Sequence, residues 1–390
     1  NEEVADLPLN LGSFSVNEQK KEAYGSVWGI VSKKAVYVKG FGCTLVNKDY
    51  EKPERKPNKH IISNTEPLPL YESDHSYDFS ELVEFAFDTT NASIKTRALV
   101  IARGNDLLFE KYSEGFNANT PQIGWSMTKS LFAILAGQMI QDGIFTAETD
   151  SLLDIWKDER AIIQIKDLLR MTPGLAWEEV YSRPSSATRM LYMEDNMGAY
   201  AADYNLDHEP GTNWYYSSGN TNILSYVIRN KFADDYEYYS YPYDQLFNPL
   251  GLKSFVIEPD ASGTYVGSSY AWATPRDWTR LGILCLQKGK KGSESIVQES
   301  WINYLQEPVS ISPKREYATS FRINIGNEGN PEERPYPDCP TDMYYMQGFS
   351  GQRVFIIPSQ NLVISRFGLD KKDGIDFNKM VSLIIKSVDN

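Results

Sequence analysis

Cysteine and histidine are both scarce in this chain of 390 residues, at three each. Cys43, Cys285 and Cys339 lie far apart and are odd in number. That excludes a disulfide-stapled scaffold and a clustered thiolate zinc site, and it predicts small buried side chains. His60, His75 and His208 show neither His-x-His nor His-Glu-x-x-His spacing, so nothing points to a metal. Gly-x-Ser-x-Gly is absent, and a Ser-His-Asp triad would have to draw on one of these three histidines. His208, in Asp207-His208-Glu209-Pro210, reads as a local packing or capping residue, and the other two fall in polar, irregular stretches. Basic charge is also lacking: 39 Lys and Arg stand against 52 Asp and Glu, a net charge of -13. Nucleic acid and anionic membrane, which both need a basic face, are thereby excluded as main partners. No apolar run reaches the roughly 18 residues that span a bilayer, so no membrane span is predicted.

Hydrophobic residues make up 41% and aromatics 13%, ample for a globular core in one large or two ordinary domains. Residues 1–25 read as polar and unpatterned, 26–46 as short strands broken by glycines, and 48–64 as loop. Residues 1–80 are therefore expected to be an N-terminal extension with short strands. The start, Asn-Glu-Glu-Val-Ala-Asp, resembles a trimmed end, which sets export to the periplasm as the expectation and a cytoplasmic location as the alternative. Phe79–Phe87 has helical spacing. Arg97–Ala102 and Leu107–Tyr112 read as strands joined by the hairpin signal Arg103-Gly104-Asn105-Asp106. From there to about residue 310 the pattern is mostly helical, with Ile162–Met171 and Thr221–Asn230 clear. The last third changes period: 317–325, 343–349, 353–357 and 362–367 have strand length, and 375–388 forms a closing amphipathic helix. The prediction is an α+β fold, an antiparallel sheet flanked by terminal helices. Residues 81–120 and 311–390 would make the α/β domain and 121–310 an inserted helical domain, with the active site at their interface.

The one Ser-x-x-Lys in the chain is Ser126-Met127-Thr128-Lys129, opening the apolar run Leu131–Ile140. On a helix, Lys129 lies one turn beyond Ser126 on the same face, which sets an alcohol beside an amine able to take its proton. The bland alternative is a serine N-cap with a solvated lysine. Against it, Met127, Leu131, Phe132, Ile134, Leu135, Met139 and Ile140 surround the helix with apolar side chains, and a lone buried lysine needs a reason. A second constellation is Pro210-Gly211 through Tyr216-Ser217-Ser218-Gly219-Asn220, where Tyr216 is either a proton carrier beside Lys129 or an aromatic anchor under a turn. A third is Met346-Gln347-Gly348-Phe349-Ser350-Gly351, where glycines admit a substrate and the Phe349 N–H can face an oxyanion. Glu178-Glu179 and Asp234-Asp235 are solvated charge by default, although Glu179 and Tyr181 are also candidates to line a cleft.

Six boxes in order resemble the serine hydrolases related to class C β-lactamases, penicillin-binding DD-peptidases and family VIII esterases, together with 6-aminohexanoate-dimer hydrolases. They are Trp125-Ser126-Met127-Thr128-Lys129-Ser130, Leu168 through Leu175, Pro210-Gly211 through Ser218, Asn248-Pro249-Leu250-Gly251-Leu252, Gly267-Ser268-Ser269-Tyr270 to Arg276-Asp277-Trp278, and Gly348-Phe349-Ser350-Gly351-Gln352. The resemblance covers about residue 95 to the end. It implies a β-lactamase/transpeptidase-like fold and an acyl-enzyme on Ser126, with Lys129 and Tyr216 as proton partners and Ser126 N–H and Phe349 N–H as the oxyanion hole. It calls for neither metal nor cofactor, and the partner is a small acyl substrate. Trp125, Trp177, Glu179, Tyr181, Trp214, Ser218, Asn220, Gln347 and Gly348 are the candidate substrate contacts. Two positions depart from the family pattern. Ser218 stands where the second box carries an amide, with Asn220 two residues on, and Met346-Gln347-Gly348 replaces a cation-bearing third box. A substrate carboxylate therefore lacks its usual partner unless Arg353 reaches in, which favours a neutral ester or linear amide over a β-lactam. The rival readings are a non-catalytic binding or sensor protein on the same fold, and a DD-peptidase or β-lactamase proper.

Overall fold

The computed structural model describes residues 12–27, 31–46, 70–72, 77–327, 330, 333–371 and 374–389. The loop expected at 48–64, His60 and His75 lie outside them. The alternation in the last third becomes the middle of a seven-stranded sheet. Its spatial order is Arg322–Ile323, Tyr344–Gln347, Arg353–Ile357, Leu362–Gly368, Thr96–Arg103, Asp106–Tyr112 and Tyr71–Glu72. Neighbours are antiparallel except the last pair. Side chains alternate between two cores, as a strand's period of two requires. Val354, Ile356 and Val363 enter one core, and Phe355, Ile357 and Ile364 the other. The second core is closed by the Phe377–Asp389 helix, through Met380, Val381, Ile384 and Val388, together with the Ser80–Ala86 helix. This is the α+β sheet with terminal helices that the sequence predicts.

The first core is covered by the Pro275–Leu286 helix and, beyond it, by the Met127–Gln141 helix. Gly282 lets the former approach so closely that a Cβ there would lie 2.7 Å from a Val363 methyl carbon. In the latter every residue from Met127 to Met139 is buried. A helix apolar on all sides belongs inside a protein, and each fully buried Leu, Ile or Phe contributes about 1.5–3 kcal/mol. Of the strand expected over 317–325, only Arg322–Ile323 pairs with the sheet. Ser320 turns the chain just before it with φ +57°, a left-handed conformation that ends an extended run.

Residues 12–46 form a four-stranded antiparallel meander, Gly12–Asn17, Glu22–Val27, Val31–Val38 and Gly42–Val46. This corrects the reading of residues 1–25 as unpatterned. Every side chain of Gly12–Asn17 is exposed, so no apolar alternation marks the strand and backbone pairing alone defines it. The meander is anchored by Phe41, 2% exposed, edge-on to Tyr239 at 4.7 Å. Cys285 and Cys339 are buried, but Cys43 is exposed on the last strand of the meander, contrary to the expectation for all three.

Candidate active site

Ser126 stands at the N-cap of the Met127–Gln141 helix, reached from the short strand Gln122–Ile123 through Trp125 at φ +46°. A tryptophan in the left-handed region costs on the order of 1–3 kcal/mol. The turn is held by the Trp125 ring, edge-on to Tyr270 and Phe349 at 6.2 and 6.1 Å. It presents Ser126 Oγ to a cavity of about 990 Å³ that Trp125, Lys129, Tyr181, Tyr216, Gln347, Gly348 and Phe349 help to line.

Lys129 is 1% exposed and its Nζ has three neighbours: Ser126 Oγ at 3.2 Å, Ser218 Oγ at 3.1 Å and the Ser268 carbonyl at 2.9 Å. The directions of two of these bonds are fixed. The carbonyl can only accept. Ser218 spends its proton on Glu179 Oε1, 2.5 Å away, because a carboxylate can only accept, so Ser218 Oγ must accept from Lys129. Two N–H bonds are thus committed, and the third tetrahedral position of Nζ faces Ser126. In the neutral amine that position is the lone pair.

Tyr216 lies across Lys129, its ring centroid 5.0 Å from Nζ, and the Arg322 guanidinium sits 5.7 Å from the same ring. The hydroxyl makes no hydrogen bond among the described residues. Below it, Tyr317 packs edge-on at 6.1 Å. The third box is brought to Ser126 by a contact only glycine permits: a Cβ on Gly348 would fall 2.2 Å from the Gly124 carbonyl. Phe349 opens a 3-10 turn just beyond it. Ser126 N–H and Phe349 N–H make none of the turn hydrogen bonds that occupy Met127 and Gly348 beside them. Both N–H groups are thus left without a backbone partner among the described residues.

Five candidate substrate contacts stand behind the cavity wall. Ser218 and Asn220 belong to the first turn of the Ser218–Arg229 helix, with Ser217 as its cap. Asn220 is 3% exposed and donates to Met171 Sδ, because the helix starts before it and turns its side chain inward. Trp214 packs on Tyr317 at 5.3 Å under the Tyr216 loop. Trp177 packs against Tyr204 at 5.2 Å and donates to Glu179 Oε2 at 2.6 Å. Glu179 also takes Ser218 N–H at 2.9 Å and the Tyr181 hydroxyl at 2.7 Å, so its carboxylate is a hub with four donors rather than a cleft wall. Tyr181 is 48% exposed, yet its hydroxyl end is turned into this hub, and burial there together with the nearby Glu179 charge raises its pKa.

Glu179 therefore positions Lys129 through Ser218. In Glu179→Gln the acceptor becomes an amide that can also donate, the Ser218 hydroxyl loses its fixed direction, and so does the Lys129 bond that depends on it. The expected result is a fall in kcat of about 10–100-fold, as for supporting groups behind reactive ligands, with KM within about twofold. An equal loss in both parameters, or none, would show that the hub only holds the loop.

Arg353 does not line the cavity. It donates to the Gly348 and Gln352 carbonyls at 2.9 and 2.8 Å and lies over Phe377. The cavity cations the motifs did not mark are Arg97 and Arg322, the latter paired with Glu316 at 2.7 Å. Cys43, Glu258 and Asp260 also reach the wall unannounced. These residues come from the meander and from strand ends distant in sequence, and no local spacing signals them.

A statistical model of the beta-lactamase family matches residues 83–368. The chain is 24% identical over 241 residues to the 6-aminohexanoate-dimer hydrolase of Paenarthrobacter ureafaciens, a match spanning 57% of this chain and 59% of that relative. Among solved structures it resembles a family VIII carboxylesterase at 14% identity and TM-score 0.58, over 80% of this chain and 97% of that one. It also resembles a D-stereospecific amidohydrolase from Streptomyces at 14% identity and TM-score 0.57, over 78% and 97% respectively. At these identities the structural likeness shows the shared fold.

Proposed function

The chain belongs to the beta-lactamase family, and on that premise we propose that it is a serine hydrolase forming an acyl-enzyme on Ser126. The observation that carries the reading is the two-point fixing of Lys129 Nζ by Ser218 and Ser268, which aims its remaining position at Ser126 Oγ. As Ser126 Oγ bonds to the substrate carbonyl carbon, its proton passes to the Lys129 amine and, with Tyr216 alongside, on to the departing alkoxide or amine. Ser126 N–H and Phe349 N–H hold the oxyanion. Water then attacks the acyl carbonyl, gives up its proton to the same pair, and releases the acid and the Ser126 hydroxyl.

Neutral esters and linear amides suit the cavity better than β-lactams. A β-lactam carboxylate would need an unspent cation by the reacting carbonyl. Arg97 is stacked over the Phe116 ring at 5.0 Å, Arg322 already answers Glu316, Arg353 is held by backbone carbonyls, and an unpaired buried charge costs several kcal/mol.

Incubation with a fluorophosphonate, followed by intact-mass measurement and peptide mapping, is expected to add one adduct, on Ser126. Nitrophenyl butyrate is expected to be turned over with a larger kcat/KM than nitrocefin. An adduct at any other residue removes the nucleophile assignment. A larger kcat/KM for nitrocefin removes the substrate preference and leaves the nucleophile standing.

A further inference from the structure

One wall of the cavity comes from outside the family region. Ala35, Cys43 and Leu45 of the N-terminal meander line the same cavity as Ser126, and all three precede residue 83, where the family match begins. Residues paired across antiparallel strands share a face, and so do residues two apart along a strand. Ala35 pairs with Leu45 and Tyr37 with Cys43, so the three cavity residues belong to a single face of the meander. The opposite face carries Val36, Thr44 and Val46, 4, 2 and 2% exposed, and fastens the last two strands to the body of the protein. Thr44 Oγ1 adds a hydrogen bond to the Pro259 carbonyl at 3.0 Å. The cavity-side face is thereby held in place.

Followed outward from the cavity, that face keeps one apolar rung across all four strands. Leu45 pairs with Ala35, Ala35 with Ala23, and Ala23 with Val16. Leu45, Ala35 and Ala23 are partly buried, while Val16, on the edge strand, is 65% exposed. Three interstrand spacings make the rung about 14 Å long. Its two middle members are alanines, which leaves a shallow trough between the larger end residues. Beside it the surface is open at Gly25, where a Cβ would meet nothing within 4 Å. The charged neighbour on this face is Lys33, opposite Gly25, and the rung itself carries no ionisable group. The polar groups of these strands lie on the other face, where Glu22 takes Lys34 Nζ at 2.7 Å and the Tyr24 hydroxyl at 2.6 Å.

The two middle strands are paired on both sides, so a peptide laid over the rung would find no ladder partner and would leave its amides against an apolar surface. A hydrocarbon chain has no such groups to satisfy. Each methylene taken fully out of water adds about fourfold to binding, or about twofold where one side of the chain stays wet. We propose that the rung from Leu45 to Val16 is a track for a long unbranched aliphatic chain of the substrate, continuing the cavity along the meander, so that the substrate is a long-chain ester or amide. The proposal rests on the hydrolase reading only in taking Ser126 as the reacting end.

The test is a pair of chain-length series, nitrophenyl esters from butyryl to tetradecanoyl and alkyl acetates from butyl to tetradecyl, each below its aggregation concentration. Wild type is compared with Ala23→Asp, Val16→Asp and Ser15→Asp, the last placing the same charge beside Val16 on the polar face. In at least one series wild-type kcat/KM is expected to keep rising beyond the length at which Ala23→Asp levels off. For the longest chain the two are expected to stand about eightfold apart, the worth of about three half-wet methylenes. Val16→Asp is expected to part from wild type at a greater length than Ala23→Asp, and Ser15→Asp to follow wild type throughout. Val16 is exposed, so its variant decides the matter if Ala23→Asp does not fold. Coincident curves for wild type and the rung variants overturn the track and leave the hydrolase reading intact, as does a Ser15→Asp curve that falls as far as theirs. A wild-type dimer that dissociates on sedimentation of Val16→Asp, with the length series unchanged, makes the face a contact between copies and also overturns it. Should no ester be turned over and Ser126 remain unlabelled, the hydrolase reading fails by itself. The track is then judged by calorimetry, where wild type must bind decanamide more tightly than butanamide and lose that advantage in a rung variant; equal binding overturns it.

Discussion

Ser126→Ala is expected to lower kcat for nitrophenyl butyrate by about 10⁴-fold or more while leaving thermal unfolding unchanged. The size follows from the loss of a covalent route, for which removal of a serine nucleophile costs on the order of 10⁶ in kcat. Preservation of the fold follows from the local structure. Ser126 occupies the N-cap, but its side chain makes no capping hydrogen bond, so the usual cost of about 1 kcal/mol for losing a serine cap does not apply. Among the described residues its one side-chain partner is Lys129, which keeps Ser218 and Ser268 in the variant. Lys129→Met is a companion that tests the base rather than the nucleophile. It removes a buried amine in favour of an apolar chain of similar length, so the fold is kept, and kcat is expected to fall about 10²–10⁴-fold, the range for loss of a general base. Retention of more than a few per cent of wild-type kcat in Ser126→Ala would remove Ser126 from the reaction whatever the adduct mapping showed.

The legible parts of this molecule are those in which one local period decides the outcome. Val354 to Ile357 and Leu362 to Phe367 alternate between two cores, and both cores are apolar, so the runs can only be central strands. Ser126 and Lys129 are one helical turn apart, and that spacing puts them on one face, where Ser218 and Ser268 then hold Nζ 3.2 Å from Oγ. The meander at 12–46 was partly illegible because its first strand buries nothing, and strand pairing without burial leaves no hydrophobic trace. The same limit explains Glu179. Next to Trp177 and Glu178 it reads as surface charge, and its four donors arrive from Trp177, Tyr181 and both Ser218 groups, two of them nearly forty residues away. Arg353 illustrates the converse. It sits on the expected strand, but the pleat and the neighbouring carbonyls decide its direction, and it becomes a strut for the third box rather than a ligand.

A second large effect is expected away from the nucleophile, at Asp370. Arg366 is fully buried in Leu362–Gly368, the strand paired with Arg353–Ile357, and Asp370, with a side chain 5% exposed, lies 2.5 Å from its Nη2. Burial lowers the Arg366 pKa and Asp370 opposes that shift, so the charge is kept by its partner. The guanidinium also donates to Thr96 Oγ1 at 3.2 and 2.7 Å and to the Gly351 carbonyl at 3.1 Å. Asp370 further takes Lys95 N–H at 2.9 Å, and its own N–H holds the Ser350 carbonyl at 3.0 Å. Gln352 completes the brace, donating to the Phe349 and Gly368 carbonyls at 2.9 and 2.6 Å. The turn that carries Phe349 N–H is therefore fastened to a buried ion pair. In Asp370→Asn the positive charge stays buried without its counter-charge, which costs about 3–5 kcal/mol in such pairs. Chemical denaturation is expected to show that loss. Replacing Arg366 by Met in the same chain is expected to recover part of it, because no uncompensated charge is then left inside. Only Asp370→Asn keeps the Arg366 donor to Gly351, so the two variants separate stability from alignment. The double variant is expected to be the more stable and the slower, its kcat falling more than its KM as the Phe349 N–H loses its brace. Asp370→Asn within about 1 kcal/mol of wild type would show that water or backbone already answers Arg366, since an unpaired buried charge cannot cost so little.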